Sequence, residues 1–295
     1  MNIGKKIKEL RAKKIMTQAE LAGDMITRNM LSSIENGTAL PSVTTLRYIA
    51  AKLNVPAGYL LADGDDEKLY VKMSEITNIK NAFISKNYRI CVDMCVNTEI
   101  ERDDEINLIY AESLVELAKE YFKEGMLRSA ALCFDEAIEV CEDTIYNTDH
   151  IRAISGVYFK YMRHISATLS SDIIDEVDLD NFGLAYNDFS KYVMAFEAIC
   201  NGNSELARYF IRGFSSELPY ALHINARLDM QNAMFDEAYS KLYLILTDPH
   251  KIQEPLMYFV FCDLEVCCRE RKDFKGAYEY TNNKLDILQK MLSDN

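Results

Sequence analysis

From Leu69 to the end of the chain, apolar residues recur at helical spacing and no stretch alternates as a strand would. This part is poor in glycine, and its three prolines stand at positions 219, 249 and 255. A chain with this pattern buries its apolar residues by packing helices against helices. The sequence therefore predicts an all-α fold, interrupted at Asp172–Asp180, where five acidic residues in nine favour an irregular insertion.

The clearest repeating unit spans residues 111–143 and combines small and aromatic residues around a bend at Gly125. Weaker copies surround the turns at 201–203 and 232–233, and in a last copy Glu265 replaces the first small residue. The pattern resembles the tetratricopeptide repeat, in which small residues lie where two antiparallel helices touch. About five or six such hairpins fit in this part of the chain, and the resemblance implies a right-handed superhelix with a concave inner surface. The spaced residues of the clearest unit are Ala118, Tyr121, Ala130, Phe134 and Ala137.

The segment Thr17–Gly37 has the pattern of two short helices joined by a tight turn. Thr17 can cap the first helix, and Glu20 completes a capping box three residues later. Asn36 and Gly37 end the second helix, because glycine enters the left-handed conformation at little steric cost. The second helix would keep a polar outer face, which is what a DNA major groove admits. The segment is therefore predicted to be a helix-turn-helix.

Residues 1–61 resemble the helix-turn-helix domain of Xre-type and phage repressors. The matching motifs are TQAELA at 17–22, SSIENG at 32–37, the run from Pro41 to Val55 and the closing YLL at 59–61. The resemblance implies a compact bundle of five helices within residues 1–64. One departure concerns Gly23, which is expected late in the second helix, so that the usual glycine of the inter-helix turn is missing.

Seven residues of this segment are candidate DNA contacts. Arg28 and Asn29 are expected at the exposed start of the recognition helix, where arginine can bond a guanine edge and asparagine an adenine edge. Gln18 and Asn36 are placed to bond phosphates. The alternative is that Arg28 is an ordinary surface charge and that the serines are small solvated residues. The candidates are Gln18, Thr27, Arg28, Asn29, Ser32, Ser33 and Asn36.

The charge of the chain is unevenly distributed. The formal net charge is -13, yet residues 1–61 hold nine lysines and arginines against four acidic residues. A basic head on an acidic body favours a DNA-binding module attached to a part that does not bind DNA. The alternative is that the body is simply a soluble acidic domain. No apolar run reaches the roughly 20 residues that cross a bilayer, and eight cysteines without secretion features indicate reduced thiols. A cytoplasmic protein without a membrane partner is expected.

No catalytic constellation, phosphate-binding loop or cofactor motif accompanies these features, so the chain is not expected to be an enzyme. The histidines are scattered and the cysteines lack metal-ligand spacing, so no metal or cofactor is predicted.

Candidate ligand contacts in the body follow from the inner face of the first helix in each hairpin, taken at i, i+3 and i+7. Aromatic rings would hold side chains, while lysine, arginine and asparagine would hold the backbone or C-terminal carboxylate of a peptide. The alternative is that the aromatic residues form the core between repeats. The candidates are Lys119, Tyr192, Phe196, His223, Asn225 and Arg227.

Head and body together resemble the Rgg/PlcR/PrgX (RRNPP) group of peptide-sensing regulators. The resemblance implies a homodimeric transcription regulator that binds a double-stranded DNA operator and is switched by a short peptide in the concave groove. Residues 1–64 would bind DNA, and residues 65–295 would bind the peptide ligand and form the dimer. The acidic segment Ala62–Lys68 would be a hinge, or else a continuous helix would begin near Asp65. Alternatively, the body binds a partner protein or only dimerises.

Overall fold

The computed structural model describes residues 3–98, 102–169, 187–247 and 252–293. These residues form sixteen α-helices and no strand, which confirms the predicted all-α class. The chain divides into two compact units, Met1–Asn81 with Thr98–Glu101, and Ala82–Asn97 with Arg102–Asn295. The acidic insertion predicted at 172–180 lies outside the described residues.

Five helices of the first unit enclose one apolar core, as predicted for the head. Gly4 permits the first helix to approach the third closely, since a Cβ at this position would lie 2.0 Å from the carbonyl oxygen of Ile34. The core residues include Ile7, Leu21, Leu31, Ile34, Ile49, Leu53 and Leu60. The helices are α1 (Ile3–Lys13), α2 (Gln18–Ala22), α3 (Arg28–Glu35), α4 (Val43–Lys52) and α5 (Ala57–Leu61).

The two ends of the helix-turn-helix follow the predicted capping chemistry. Thr17 Oγ1 accepts a hydrogen bond from the Glu20 amide at 3.2 Å, and Glu20 Oε2 accepts one from the Thr17 amide at 2.6 Å. Gly37 follows α3 with φ of +73°. The expectation for Gly23 was wrong, because α2 ends at Ala22 and Gly23 is its C-cap, with φ of +54°. Gly23 is thus the turn glycine that the sequence pattern had assigned to the helix.

The linker after the head is largely helical. α6 spans Asp65–Ile84, so the prediction of a continuous helix was correct and that of a loop was wrong from Asp65 onward. Tyr70 of α6 packs on α5, with its ring centroid 6.2 Å from that of Tyr59. A Cβ on Gly58 would lie 2.0 Å from the Tyr70 hydroxyl oxygen, so a larger residue at this position would displace the Tyr70 ring. The domain boundary after residue 64 stays a prediction, and the first compact unit extends beyond it to Asn81.

Helical hairpins make up most of the second unit. α8 pairs with α9, α11 with α12, α13 with α14, and α15 with α16, while α10 lies between the first two pairs. Each of the four hairpin turns contains a residue with positive φ: Gly125, Gly202, Ala233 or Lys272. The helices are α7 (Tyr88–Val96), α8 (Asp104–Lys123), α9 (Leu127–Val140), α10 (Asp149–Met162), α11 (Asp188–Cys200), α12 (Ser204–Phe210), α13 (Pro219–Gln231), α14 (Phe235–Leu246), α15 (Glu254–Glu270) and α16 (Phe274–Leu292).

The small residues of the repeat pattern lie at the predicted helix contacts. Ala118, Ala130, Phe134 and Ala137 have no exposed surface, so the hairpin α8/α9 forms as its sequence predicts. Glu265, which replaces a small residue in the last copy, is buried on α15 and ion-paired to lysine and arginine side chains. A buried charge is tolerated here because it is paired.

Helix α15 also packs against α8, and α16 against α9, so that the first and last of these hairpins meet. Aromatic rings of α8, α10, α11 and α15 pack against one another. The Tyr161 ring centroid lies 5.1 Å from that of Phe259, and the Phe122 centroid lies 5.3 Å from that of Phe189. These aromatic rings are buried in the interior of the second unit.

Two further observations concern the described part of the chain. None of its helices combines the length and the apolar character needed to cross a membrane. Nor does it contain three histidine, cysteine or acidic side chains grouped so that they could hold a metal ion. All eight cysteines are free thiols, four of which lie on α7 and α15 with buried side chains: Cys91, Cys95, Cys267 and Cys268.

Candidate nucleic-acid interface

The start of the recognition helix α3 is fixed by a side-chain cap. Thr27 Oγ1 accepts a hydrogen bond from the Met30 amide at 3.1 Å, which satisfies one of the donors left unpaired at a helix start. Arg28 is therefore the first residue of the helix, as predicted, and Asn29 is the second. Both side chains are exposed, and positive charge and hydrogen-bonding groups stand at the end of α3 that faces solvent.

The polar residues of α3 share one face. Leu31, Ile34 and Glu35 are buried against the head, and at 3.6 residues per turn the opposite face is centred on Asn29 and Ser33. Thr27, Arg28, Asn29 and Asn36 are exposed, while Ser32 and Ser33 are half-buried. Six of the seven predicted DNA contacts are thus at least partly exposed on α3 or at its two ends, and their roles at DNA stay predictions.

Gln18, the seventh candidate, takes part in a contact within the head. Its Nε2 donates to Glu35 Oε2 at 2.7 Å, and Arg11 donates to the same carboxylate through Nε at 2.6 Å and Nη2 at 3.1 Å. Arg11 Nη1 also donates to the Met16 carbonyl oxygen at 2.8 Å. One N–H of the Gln18 amide therefore supports the head, and the phosphate contact of Gln18 stays a prediction.

The carboxylate of Glu35 joins α1, α2 and α3, although only 5% of the residue is exposed. Burial raises its pKa, but the hydrogen bonds from Arg11 and Gln18 outweigh burial, so the pKa of Glu35 is lowered from its usual value. Sequence reasoning missed both Arg11 and Glu35. The available signal was a glutamate next to Ile34 on the inward face of a helix whose other face is polar.

The cap of α3 allows a direct test. Thr27→Ala is expected to cost about 1 kcal/mol of head stability, so the amide protons of α3 should exchange with solvent about fivefold faster in the full chain. Thr44→Ala on the exposed face of α4 is the matched control and should leave α3 exchange unchanged. Equal exchange in the wild type and Thr27→Ala would show that the cap does not hold the helix start.

The body contains a hydrogen-bonded chain of buried polar side chains. The Tyr161 and Tyr192 hydroxyl oxygens lie 3.1 Å apart, and the Tyr192 oxygen lies 2.8 Å from His223 Nδ1. His223 Nε2 lies 2.9 Å from Asp263 Oδ2. Arg227 donates to both oxygens of Asp263, through Nε at 2.6 Å and Nη2 at 3.1 Å. The chain links α10, α11, α13 and α15.

Within this hydrogen-bonded series of side chains, Asp263 and Arg227 carry the charge. Burial raises the pKa of Asp263, but the guanidinium of Arg227 and the hydrogen bond from His223 outweigh burial and hold the pKa at about 2. Burial lowers the pKa of His223, which is therefore neutral at pH 7. A neutral His223 donates from Nε2 to Asp263 and accepts at Nδ1 from the Tyr192 hydroxyl.

The predicted ligand contacts of the body separate into two groups. Tyr192, Phe196 and His223 are at most 1% exposed, so they lie in the interior and do not line an open groove. This corrects the predicted placement, because helical spacing identified their shared face but not the helices that cover it. Lys119, which pairs with Glu116, and Asn225 are partly exposed.

Arg227 lies between these groups, with 17% of its side chain exposed. Its guanidinium carbon lies 4.2 Å from the ring centroid of Phe196, and its Nη1 lies 3.7 Å from Cys200 Sγ. Asp263, the partner of both His223 and Arg227, was missed by sequence reasoning. Its signal was a single carboxylate within the apolar run 255–264 of α15.

Comparison with known proteins supports the assignment of the head. Residues 7–60 match the helix-turn-helix family model. The chain therefore carries an Xre-type helix-turn-helix domain, which is a DNA-binding domain. No curated protein sequence matches the chain.

Several solved structures align over nearly the whole chain at low identity. PlcR of Bacillus thuringiensis, in complex with the peptide PapR7 and DNA, is 16% identical over 99% of this chain and 96% of PlcR, with a TM-score of 0.22. The apo form of the competence regulator ComR from Streptococcus vestibularis is 16% identical over 92% and 97%, with a TM-score of 0.28. ComR from S. thermophilus, in complex with DNA and its signalling peptide ComS, is 15% identical over 97% and 99%, with a TM-score of 0.26. At these TM-scores no residue of those proteins is equated with a residue of this chain.

Proposed function

We propose that this protein is a cytoplasmic, sequence-specific transcription regulator that binds a double-stranded DNA operator as a homodimer and is controlled by a short peptide. The observation that carries the DNA-binding part is the polar face of α3, which a side-chain cap and a buried ion pair hold on a basic head. This function requires no catalytic chemistry, so the protein is proposed to be a regulator and not an enzyme.

The outward residues of α3 supply the groups that read base edges. Arg28 at the first position can bond O6 and N7 of guanine through its planar fork, and Asn29 can bond N6 and N7 of adenine. Ser32 and Ser33 adjoin them one turn later, where hydroxyl groups bond bases or phosphates. Asn36 and the second N–H of Gln18 are the phosphate contacts that orient the helix.

Arg28→Ala tests the proposed base contacts of α3. The variant is expected to lose about 1–3 kcal/mol of discrimination between the operator and other sequences, because one bidentate base contact disappears. The measurement compares its affinity for an operator selected from random duplexes with its affinity for a scrambled duplex. Lys14→Ala, which removes an exposed positive charge outside α3, is the control and should weaken both affinities equally. Equal weakening of both affinities by Arg28→Ala would make Arg28 a phosphate contact.

Two copies of the chain are proposed to act together. One arginine, one asparagine and two serines provide few base contacts, so a single head would bind weakly. A dimer that holds two heads at a fixed separation reads two half-sites about 34–36 Å apart or a multiple of this distance. The helical body, which contains most of the chain, is the part proposed to dimerise.

The peptide is proposed to bind at the partly exposed polar groups of the body. Asp263 occupies Nε and Nη2 of Arg227, whereas among the residues that the structure describes Nη1 has only the long contact to Cys200 Sγ. A carbonyl or carboxylate oxygen of a peptide can bond this edge, while Asn225 both donates to and accepts from an extended backbone. Such a peptide changes DNA binding only if it has different affinities for two arrangements of the dimer.

A binding titration tests the peptide. The probes are synthetic C-terminal fragments of any short secreted peptide encoded beside the gene, and the readouts are calorimetric affinity and the change in operator affinity. Saturable binding that Asn225→Ala weakens and that Asn283→Ala on the exposed side of α16 leaves unchanged is the expected result. Absence of saturable binding by every fragment would contradict peptide control and favour a body that binds a partner protein or only dimerises.

A further inference from the structure

One exposed apolar side chain borders the polar face of the recognition helix. Met30 is the third residue of α3, and 40% of it is exposed. Its backbone amide donates to Thr27 Oγ1 in the cap, which helps to hold its Cα in the first turn of the helix. Sequence reasoning did not select it, since the motif directs attention to the polar residues around it.

The direction of the side chain follows from helix geometry. On the helix circumference Met30 lies at the edge of the outward face, about 60° from Ser33 and about 40° from the buried Ile34. Side chains on a helix tilt toward its N-terminus, so the thioether extends toward the end where Arg28 begins the helix. This is the end that a helix-turn-helix inserts among the base edges.

The chemistry of the major groove identifies what an apolar group can contact there. Guanine, adenine and cytosine present hydrogen-bond donors and acceptors in that groove, and only thymine adds an apolar group, its C5-methyl. Methionine is flexible and polarisable, so it packs against an isolated methyl group without strict geometry. Arg28 and Asn29 can form hydrogen bonds with guanine and adenine, and neither side chain supplies an apolar contact to the methyl group of thymine.

We propose that Met30 packs against the C5-methyl group of a thymine in each half-site and thereby determines specificity at that base pair. The inference rests on the proposed DNA-binding function and adds one base preference to it. The operator is thus expected to contain a thymine beside the bases read by Arg28 and Asn29, with its methyl group pointing into the major groove.

Removal of a single methyl group from the DNA tests the contact. The operator is selected from random duplexes with the full chain. A set of duplexes is then made in which the thymines of one half-site are replaced one at a time by deoxyuridine, which lacks only the C5-methyl group. Wild-type protein is expected to bind one such duplex about fourfold more weakly, the value of burying one methyl group. Met30→Ala is expected to bind the thymine and uracil duplexes equally.

Met25→Ala is the matched control, because Met25 is also exposed but lies in the turn before the helix. It should retain the wild-type preference for thymine over uracil. A Met30→Ala protein that keeps this preference, or a wild type that shows none at any thymine, overturns the contact while leaving DNA binding intact. Failure to enrich any operator overturns the proposed function together with the contact.

Discussion

Replacing Asp263 with alanine is expected to lower the free energy of unfolding of the body by about 3–5 kcal/mol, because it leaves a buried guanidinium without its counter-charge. Asp263 is 5% exposed and accepts hydrogen bonds from His223 and from two nitrogens of Arg227. These bonds connect α13 to α15 across 36 and 40 residues of sequence. Tyrosine fluorescence during urea unfolding reports the change, since the chain has no tryptophan.

Asp236→Ala provides a matched control for this change. Asp236 also pairs with an arginine, Arg271, at 2.6 Å, but 80% of its side chain is exposed. An exposed pair of this kind contributes about 0–1 kcal/mol, so this variant should unfold close to the wild type. If the two variants unfold at the same urea concentration, the buried network does not hold the body together.

The same network makes the stability of the body depend on pH. The pKa of Asp263 is about 2 in the folded protein, below its ordinary value of 3.8. Its contribution is therefore complete above pH 4 and is lost as the pH falls toward 2. His223, whose pKa burial lowers from 6.5, acts in the same direction from a higher pH, since the unfolded chain takes up its proton first.

Glu35→Ala is expected to unfold the head and abolish operator binding. The substitution leaves Arg11 without the carboxylate that it bonds through two nitrogens, a loss of about 3–5 kcal/mol for a buried pair. A head of this size has only about 3–9 kcal/mol of stability in total. Amide exchange in α1 and α3, together with operator affinity, measures the effect.

Glu9→Ala is the control for the head. Glu9 pairs with Lys5 one turn away on α1, and both side chains are more than half exposed. Its removal should cost only a few tenths of a kcal/mol. A Glu35→Ala protein that binds the operator as tightly as Glu9→Ala does would contradict the role given to Glu35.

Because the pKa of Glu35 is lowered, its contribution to the stability of the head is present above the ordinary value of 4.5 and is lost as the pH falls below it.

The parts of the fold that depend on local chemistry were predictable from the sequence. The capping box at Thr17 and the glycine at position 37 each involve residues within one turn of one another, so their spacing alone indicates the structure. The hairpin α8/α9 was equally accessible, because Ala118 and Ala130 mark a contact between helices adjacent in the chain. Gly23 was misplaced because the length of a five-residue helix is not evident from its own pattern.

The parts that depend on distant contacts were not predictable. Periodicity showed that Tyr192 and Phe196 share a face, but not that α10 and α15 cover that face and bury both rings. The role of Asp263 depends on α13, whose residues lie far away in the sequence. Arg11 and Glu35 were missed for the same reason, since their pairing joins two helices across 24 residues.

The central claim is that the head reads a DNA sequence, and a binding titration over a range of salt concentrations tests it most directly. The full chain is titrated against a selected operator and against a scrambled duplex of the same composition. The operator is expected to bind at least about 10³-fold more tightly than the scrambled duplex, and the logarithm of the affinity is expected to fall linearly as the logarithm of the salt concentration rises. Equal affinity for the two duplexes, or an affinity independent of salt, would contradict it.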